Sequence, residues 1–166
     1  MYEVGDYIVH PGQGVCKVDE IVDGPNESYM LMPVGGRHPM RISYPVSGEG
    51  RLRPVLSQNE AEELIDEYPS MSVEDFSCKS NALEEQHFKD EMRHGTCRDS
   101  VRIVKTFRVR IDQMRARNKK PPVAYERILK QASQRSLEEL SVALGVSVED
   151  VQQLFKAQEG ERPENN

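Results

Sequence analysis

Two stretches place a thiol close to an imidazole in the chain, His10 with Cys16 and His94 with Cys97. A cysteine nucleophile needs a histidine base and a third group that orients the imidazole, and neither stretch supplies a nucleophile turn or that third group. His87, His94 and Cys97, taken with Cys78, carry the atoms that bind zinc, but their spacing fits no closed structural site. The expectation is surface histidines and small core-filling cysteines, with no metal and no cofactor. Gly12 and Gly14 fall between two strand-like runs and lack the helix N-terminus at which a phosphate loop holds its ligand, so they are read as a turn. With no catalytic constellation in view, the chain is expected not to be an enzyme.

The charges carry more. The 166 residues have a formal charge of −6, yet residues 98–135 hold twelve Lys or Arg against only Asp99, Asp112 and Glu126, a local +9. A globally acidic chain with one basic block can touch phosphate with a single surface while its other surfaces avoid DNA. At 100° per residue, Ile103, Val104, Phe107, Ile111 and Met114 share one helical stripe. Arg98, Arg102 and Lys105 lie opposite, flanked by Arg108, Arg115, Arg110 and Arg117. A merely solvated face would intersperse carboxylates, and this one has few, which makes it a candidate phosphate surface. Leu140 to Phe155 has the apolar spacing and mid-turn glycine of a helix-turn-helix. Its second helix opens with Glu149 and Asp150 and has no basic residue before Lys156, so repulsion favours a packing corner over DNA reading.

These residues need elements to position them. The first 56 residues alternate short β-prone runs with turn residues: Asp6 to His10, Gly14 to Val22, Ser28 to Val34, Met40 to Val46 and Leu52 to Leu56. Five strands in so short a span predict a small barrel, because a sheet must curl to bury one face. From Ser57 the pattern is helical. Ser57 with Glu60, Thr96 with Asp99, Ser136 with Glu139 and Ser147 with Asp150 read as capping boxes, and Pro121-Pro122 as a helix start. Helices are expected over roughly 57–68, 79–94, 97–118 and 122–134, with a final pair at 137–144 and 148–157. The polar residues 159–166 read as a disordered tail. No apolar run approaches the ~18 residues of a membrane span, no secretory signal is visible, and three cysteines without a CxxC pair suit a reducing compartment. A cytoplasmic chain with domains at 1–56 and 57–158 is expected.

Three segments, Val4 to Val15 (VGDYIVHPGQGV), Met40 to Val46 (MRISYPV) and Arg51 to Val55 (RLRPV), resemble the RNA polymerase interaction domain of the bacterial CarD/CdnL family, shared with the transcription-repair coupling factor. The resemblance extends more weakly to about residue 157. It implies an α+β chain in which a Tudor-like or SH3-like five-stranded β-barrel precedes an all-α helical bundle. It also implies that the barrel adds edge to edge to a strand of the RNA polymerase β subunit, the strand-addition mode of recognition. The helical domain would reach promoter DNA in the minor groove at the upstream edge of the transcription bubble, where a Trp wedges against the opened base step.

Carried onto this chain, the wedge falls on Phe76, a departure from Trp that loses the indole donor and some area. Without the resemblance, Phe76 reads as a core residue anchoring a loop. Lys79 matches a cation beside the wedge and Arg110 a phosphate-contacting Arg, while Lys105 belongs to the basic face. Arg41 and Ser43 lie on the strand turned toward polymerase, with Arg37 in the preceding loop. The leading reading is a monomeric transcription regulator, nucleoid-associated through RNA polymerase, that bridges polymerase and promoter DNA and modulates open-complex stability. The alternative is a protein-interaction adaptor that docks on polymerase without binding DNA. A detached fragment of the coupling translocase is disfavoured, since no motor motif is present.

Overall fold

The computed structural model describes residues 1–35 and 40–160. The chain divides into two compact units, Met1–Leu56 and Ser57–Asn166.

In the first unit, β1 (Tyr7–His10), β2 (Gly14–Val22), β3 (Ser28–Pro33), β4 (Ile42–Pro45) and β5 (Arg53–Pro54) form an antiparallel sheet in the order β4-β3-β2-β1-β5. Period-two alternation turns Ile8, Cys16, Val18, Tyr29 and Leu31 inward, where they meet Leu52. The β1–β2 turn uses Gly14 at φ 75°, and the Nδ1 of His10 accepts the N–H groups of Gly12 (3.0 Å) and Gln13 (3.1 Å). His10 thus builds a turn, and Cys16 is buried in the core.

The five strands are present, but the barrel expected of them is not closed. Among the described residues β4 pairs only with β3 and β5 only with β1. A 3₁₀ segment, Val46–Arg51, joins the two edges. Tyr29 donates to the Glu49 carboxylate (2.6 Å) and Tyr44 to the Gly48 carbonyl (2.8 Å), which ties this segment to the sheet. β5 has two residues, and Pro54 has no N–H to extend a ladder.

β4 is therefore an open edge. The Val46 N–H bonds to the Glu27 carbonyl (3.0 Å) next to the β3–β4 ladder. Alternation of antiparallel pairs then assigns the bonded positions to Tyr44 and Ile42, and directs the backbone N–H and C=O of Ser43 away from β3. Pro45 occupies the next outward position, where a missing N–H breaks no internal bond.

The second unit contains α1 (Gln58–Glu67), α2 (Asn81–His94), α3 (Cys97–Ala116), α4 (Val123–Leu144) and α5 (Val148–Gly160). The boxes at Ser57/Glu60 and Thr96/Asp99 cap α1 and α3, and Ser147 and Asp150 exchange bonds at the start of α5. The box expected at Ser136 and Glu139 does not form. Helix α4 runs through it, because no Gly or Pro interrupts the stripe Ile128, Ala132 and Leu140, all fully buried. The Ser136 hydroxyl is satisfied within the helix instead, donating to the Ala132 carbonyl at 2.8 Å. Gly145 ends α4 in the left-handed conformation, and Leu140 and Val151 are buried on either side of that corner. Of the expected tail, residues 159 and 160 are the end of α5, and residues 161–166 lie outside the described residues. No helix is long and apolar enough to cross a membrane.

The helical core consists of Phe88, Met92, Ile103, Val104, Phe107, Ile128 and Ala132, with Phe88 and Phe107 edge to face at 4.8 Å. Cys97 is buried, Cys78 is half-buried, and no two of the cysteines are joined in a disulfide among the described residues.

Candidate functional site

Helix α2 begins where the Ser80 hydroxyl accepts the Leu83 N–H at 3.3 Å. Its apolar stripe, Phe88 and Met92, continues one turn back to Glu84, so a carboxylate lies on a core-facing face. Its side chain is 3% exposed and pairs with Arg110 at 2.8 Å. The second carboxylate oxygen of Glu84 accepts the Cys78 N–H at 3.1 Å. Arg110 reaches across from α3 and also donates to the carbonyls of Glu74 (3.1 Å) and of Phe76. Its guanidinium lies over the rings of Phe107 (5.1 Å) and Phe88 (5.6 Å). Thr106, one turn before Arg110, accepts the Glu74 N–H at 3.0 Å. The stretch leading into α2 is thereby fastened to α3 by its own backbone.

This fastening displays Phe76. The residue is 37% exposed, and its ring stacks on His87 with centroids 3.7 Å apart and planes 17° from parallel. The far edge of the stack meets Phe88, at 6.0 Å from Phe76 and 4.9 Å from His87. Phe76 is therefore a surface residue on an aromatic platform. Lys79, three residues on, is exposed and makes no ion pair among the described residues.

Beneath the platform, the Nε2 of His87 lies 3.0 Å from a Glu74 oxygen and 3.6 Å from a Glu91 oxygen. Burial raises the Glu91 carboxyl to about 7, assisted by its hydrogen bond with Glu74 and by the charges of Glu74 and Asp99, against a lowering from His87. Donor atoms of Glu74, His87 and Glu91 all lie within 4.8 Å of one another, the one such cluster among the described residues. It shares only His87 with the Cys/His set that spacing excluded.

The basic face of α3 is more occupied than its sequence suggests. The stretch Glu67–Phe76 runs along it. Arg98 pairs with Glu67 (2.5 Å) and holds that carboxyl below the usual range. Lys105 donates to the carbonyls of Tyr68 (2.8 Å) and Pro69 (3.0 Å). Arg108 bonds the Tyr68 hydroxyl (3.1 Å), and Arg115 pairs with Glu126 (3.4 Å). The carboxylates and carbonyls missing from α3 itself come from neighbouring elements. Exposed cations without such side-chain partners among the described residues include Lys79 and, at the end of α3 and beyond it, Arg117, Lys119 and Lys120, together with Arg93, Lys130 and Lys156 elsewhere on the helices.

On the sheet unit, Ser43 is exposed on the open edge β4, and Arg41 just before it bonds Asp19 (2.5 Å) and Glu20 (3.2 Å) of β2. Arg37 lies outside the described residues. This sheet, with its hairpin turn and its free edge, has a counterpart among known families. Residues 2–56 match the family model of the CarD-like/TRCF RID domain. The match is to a CarD-like RNA polymerase interaction domain, so the chain is a transcription-related protein that interacts with RNA polymerase. No curated protein matches the chain.

The sequence reading singled out Arg110 but missed Glu84, although a glutamate on the stripe of Phe88 and Met92 signals a buried carboxylate in need of a partner. It also missed His87 as the support of Phe76, since no spacing rule connects a loop ring to a helix ring.

Two stability effects follow. Arg110→Met leaves the Glu84 carboxylate buried and uncompensated, and should cost about 3–5 kcal/mol in urea unfolding. Adding Glu84→Gln should recover part of the loss, because the amide leaves no buried charge. The second effect concerns Glu91. The folded chain holds its proton more tightly than the unfolded chain, whose glutamates titrate near 4.5, so the contribution is full below that pH and is lost as pH rises through about 7. Melting in chelator-treated buffer at about pH 5 and about pH 8 should show Glu91→Gln gaining on the parent at the higher pH only.

Proposed function

We propose that the chain is a transcription regulator that docks on the RNA polymerase β subunit through the open edge β4 and contacts promoter DNA at the upstream edge of the bubble through its helical unit, catalysing no reaction. Ser43 presents an unpaired backbone N–H and C=O on that edge, which is what strand addition consumes. In the helical unit the observation that carries the reading is the placement of Phe76: an apolar ring displayed at the surface, backed by His87 and Phe88, on a backbone fastened by Arg110. A rigidly supported ring can enter a base step without the support yielding, and stacking on a base rewards it there.

Phosphate contacts then fall to Lys79, Arg117, Lys119 and Lys120, which are not consumed within the fold. Arg117 lies about 10 Å along the helix axis from Arg110. Arg110 and Lys105 serve this surface by positioning: Arg110 holds the Phe76 backbone, and Lys105 holds the chain at Tyr68 and Pro69. Holding the fork open slows bubble collapse, which assists promoters limited by opening and hinders those limited by escape.

The adaptor reading is favoured by one observation, the neutralisation of much of the α3 cationic face by internal partners. Competitor-challenged decay of promoter open complexes separates the two readings. Phe76→Ala should shorten the lifetime and Phe76→Trp lengthen it, by the ~1–3 kcal/mol of one base-stacking aromatic, with little change in melting temperature. An adaptor would leave decay unchanged in both. For the sheet unit, Ser43→Pro should abolish capture of the polymerase β subunit while Ser43→Ala retains it, with folding checked by circular dichroism, because only proline removes the outward donor.

A further inference from the structure

We infer that Glu74, His87 and Glu91 form a binding site for a divalent cation of the zinc type, beneath the ring of Phe76. His87 and Glu91 are one turn apart on α2 and so share a face, while Glu74 arrives from the stretch that precedes the helix. The donor atoms lie within 4.8 Å of one another, with Nε2 of His87 at 3.0 Å and 3.6 Å from the two carboxylates. An ion with bonds of about 2.1 Å sets neighbouring ligands roughly 3.4 Å apart, so small side-chain adjustments complete the site.

An independent observation points the same way. The second oxygen of Glu74, Oε2, is buried and, apart from a proton shared with the Glu91 carboxyl, has no hydrogen-bond partner. A buried acceptor left unpaired is costly, and a cation bound by both oxygens of Glu74 would satisfy it. Glu74 is also held in place before any ion arrives, its N–H by Thr106 and its carbonyl by Arg110. One imidazole with two carboxylates is a borderline donor set. It suits zinc and its first-row neighbours, whereas calcium and magnesium favour oxygen ligands alone. His87 is partly exposed, which leaves an entry path and room for water in the remaining position. Because the imidazole is also the platform under Phe76, a bound ion would hold that ring support rigid.

The test uses the full chain without polymerase or DNA, so its result is independent of the proposed function. Zinc chloride is titrated by calorimetry, and cobalt chloride is followed by visible d–d absorption. One saturable ion per chain is expected. Loss of a ligand should weaken binding at least as much as loss of an outer-shell partner, about ten- to hundredfold, in Glu91→Gln and in His87→Phe, which keeps an aromatic ring under Phe76. Circular dichroism confirms that both are folded, and Glu91→Gln keeps its carboxamide for the contact with Glu74. The double variant Cys78→Ser with His94→Ala should bind as the parent does. Absence of saturable binding, undiminished affinity in both ligand variants, or loss of binding in the Cys78/His94 variant would each overturn the site.

Discussion

Arg110 closes on Glu84 inside the helical unit, and the display of Phe76 depends on that contact. Both charges are withdrawn from water, which is unfavourable unless each is compensated by charge and by hydrogen bonds. A guanidinium carries five donors in a fixed plane, so one side chain can satisfy a carboxylate from α2 and two backbone carbonyls from the stretch before it while lying flat on Phe88 and Phe107. A lysine could supply the charge but not this geometry. The result is a cross-brace among three pieces of chain, and Phe76 stands exposed where a loop phenylalanine would ordinarily turn inward.

The sheet unit works under an opposite constraint. An open sheet edge leaves backbone donors and acceptors unpaired and invites self-association. Here β4 is four residues long, Pro45 removes one outward donor, and the charged pairs of Arg41 with Asp19 and Glu20 border it. Closure into a barrel would remove the edge altogether. The 3₁₀ segment between β4 and β5, pinned by the hydroxyls of Tyr29 and Tyr44, joins the two edges without pairing them.

Charge on the helical unit shows how linear bookkeeping can mislead. The basic block of residues 98–135 is real, but the acidic Glu67 and the carbonyls of Tyr68, Pro69, Glu74 and Phe76 are laid against it by the path of the chain between α1 and α2. Which cations stay exposed and unpaired is set by this path, and around this face they include Lys79 and the residues at the end of α3.

The amino-acid sequence determined by itself those features whose physics is local. Alternating apolar runs broken by Gly and Pro specify five strands, the boxes at Ser57, Thr96 and Ser147 start three helices, and three short segments within the first 56 residues identify the polymerase-interaction domain. Where a local signal competes with packing it fails: Ser136 and Glu139 spell a cap, but the buried stripe against α3 carries α4 through them, and the hydroxyl finds a carbonyl one turn back. Contacts between residues far apart in the chain were decided only by the tertiary structure. The pairing of Glu84 with Arg110, the stack of Phe76 on His87 and the meeting of Glu74 with Glu91 each join different elements or turns. Their geometry depends on how α2 and α3 cross, which the summed packing of the whole core determines and no spacing along the chain encodes.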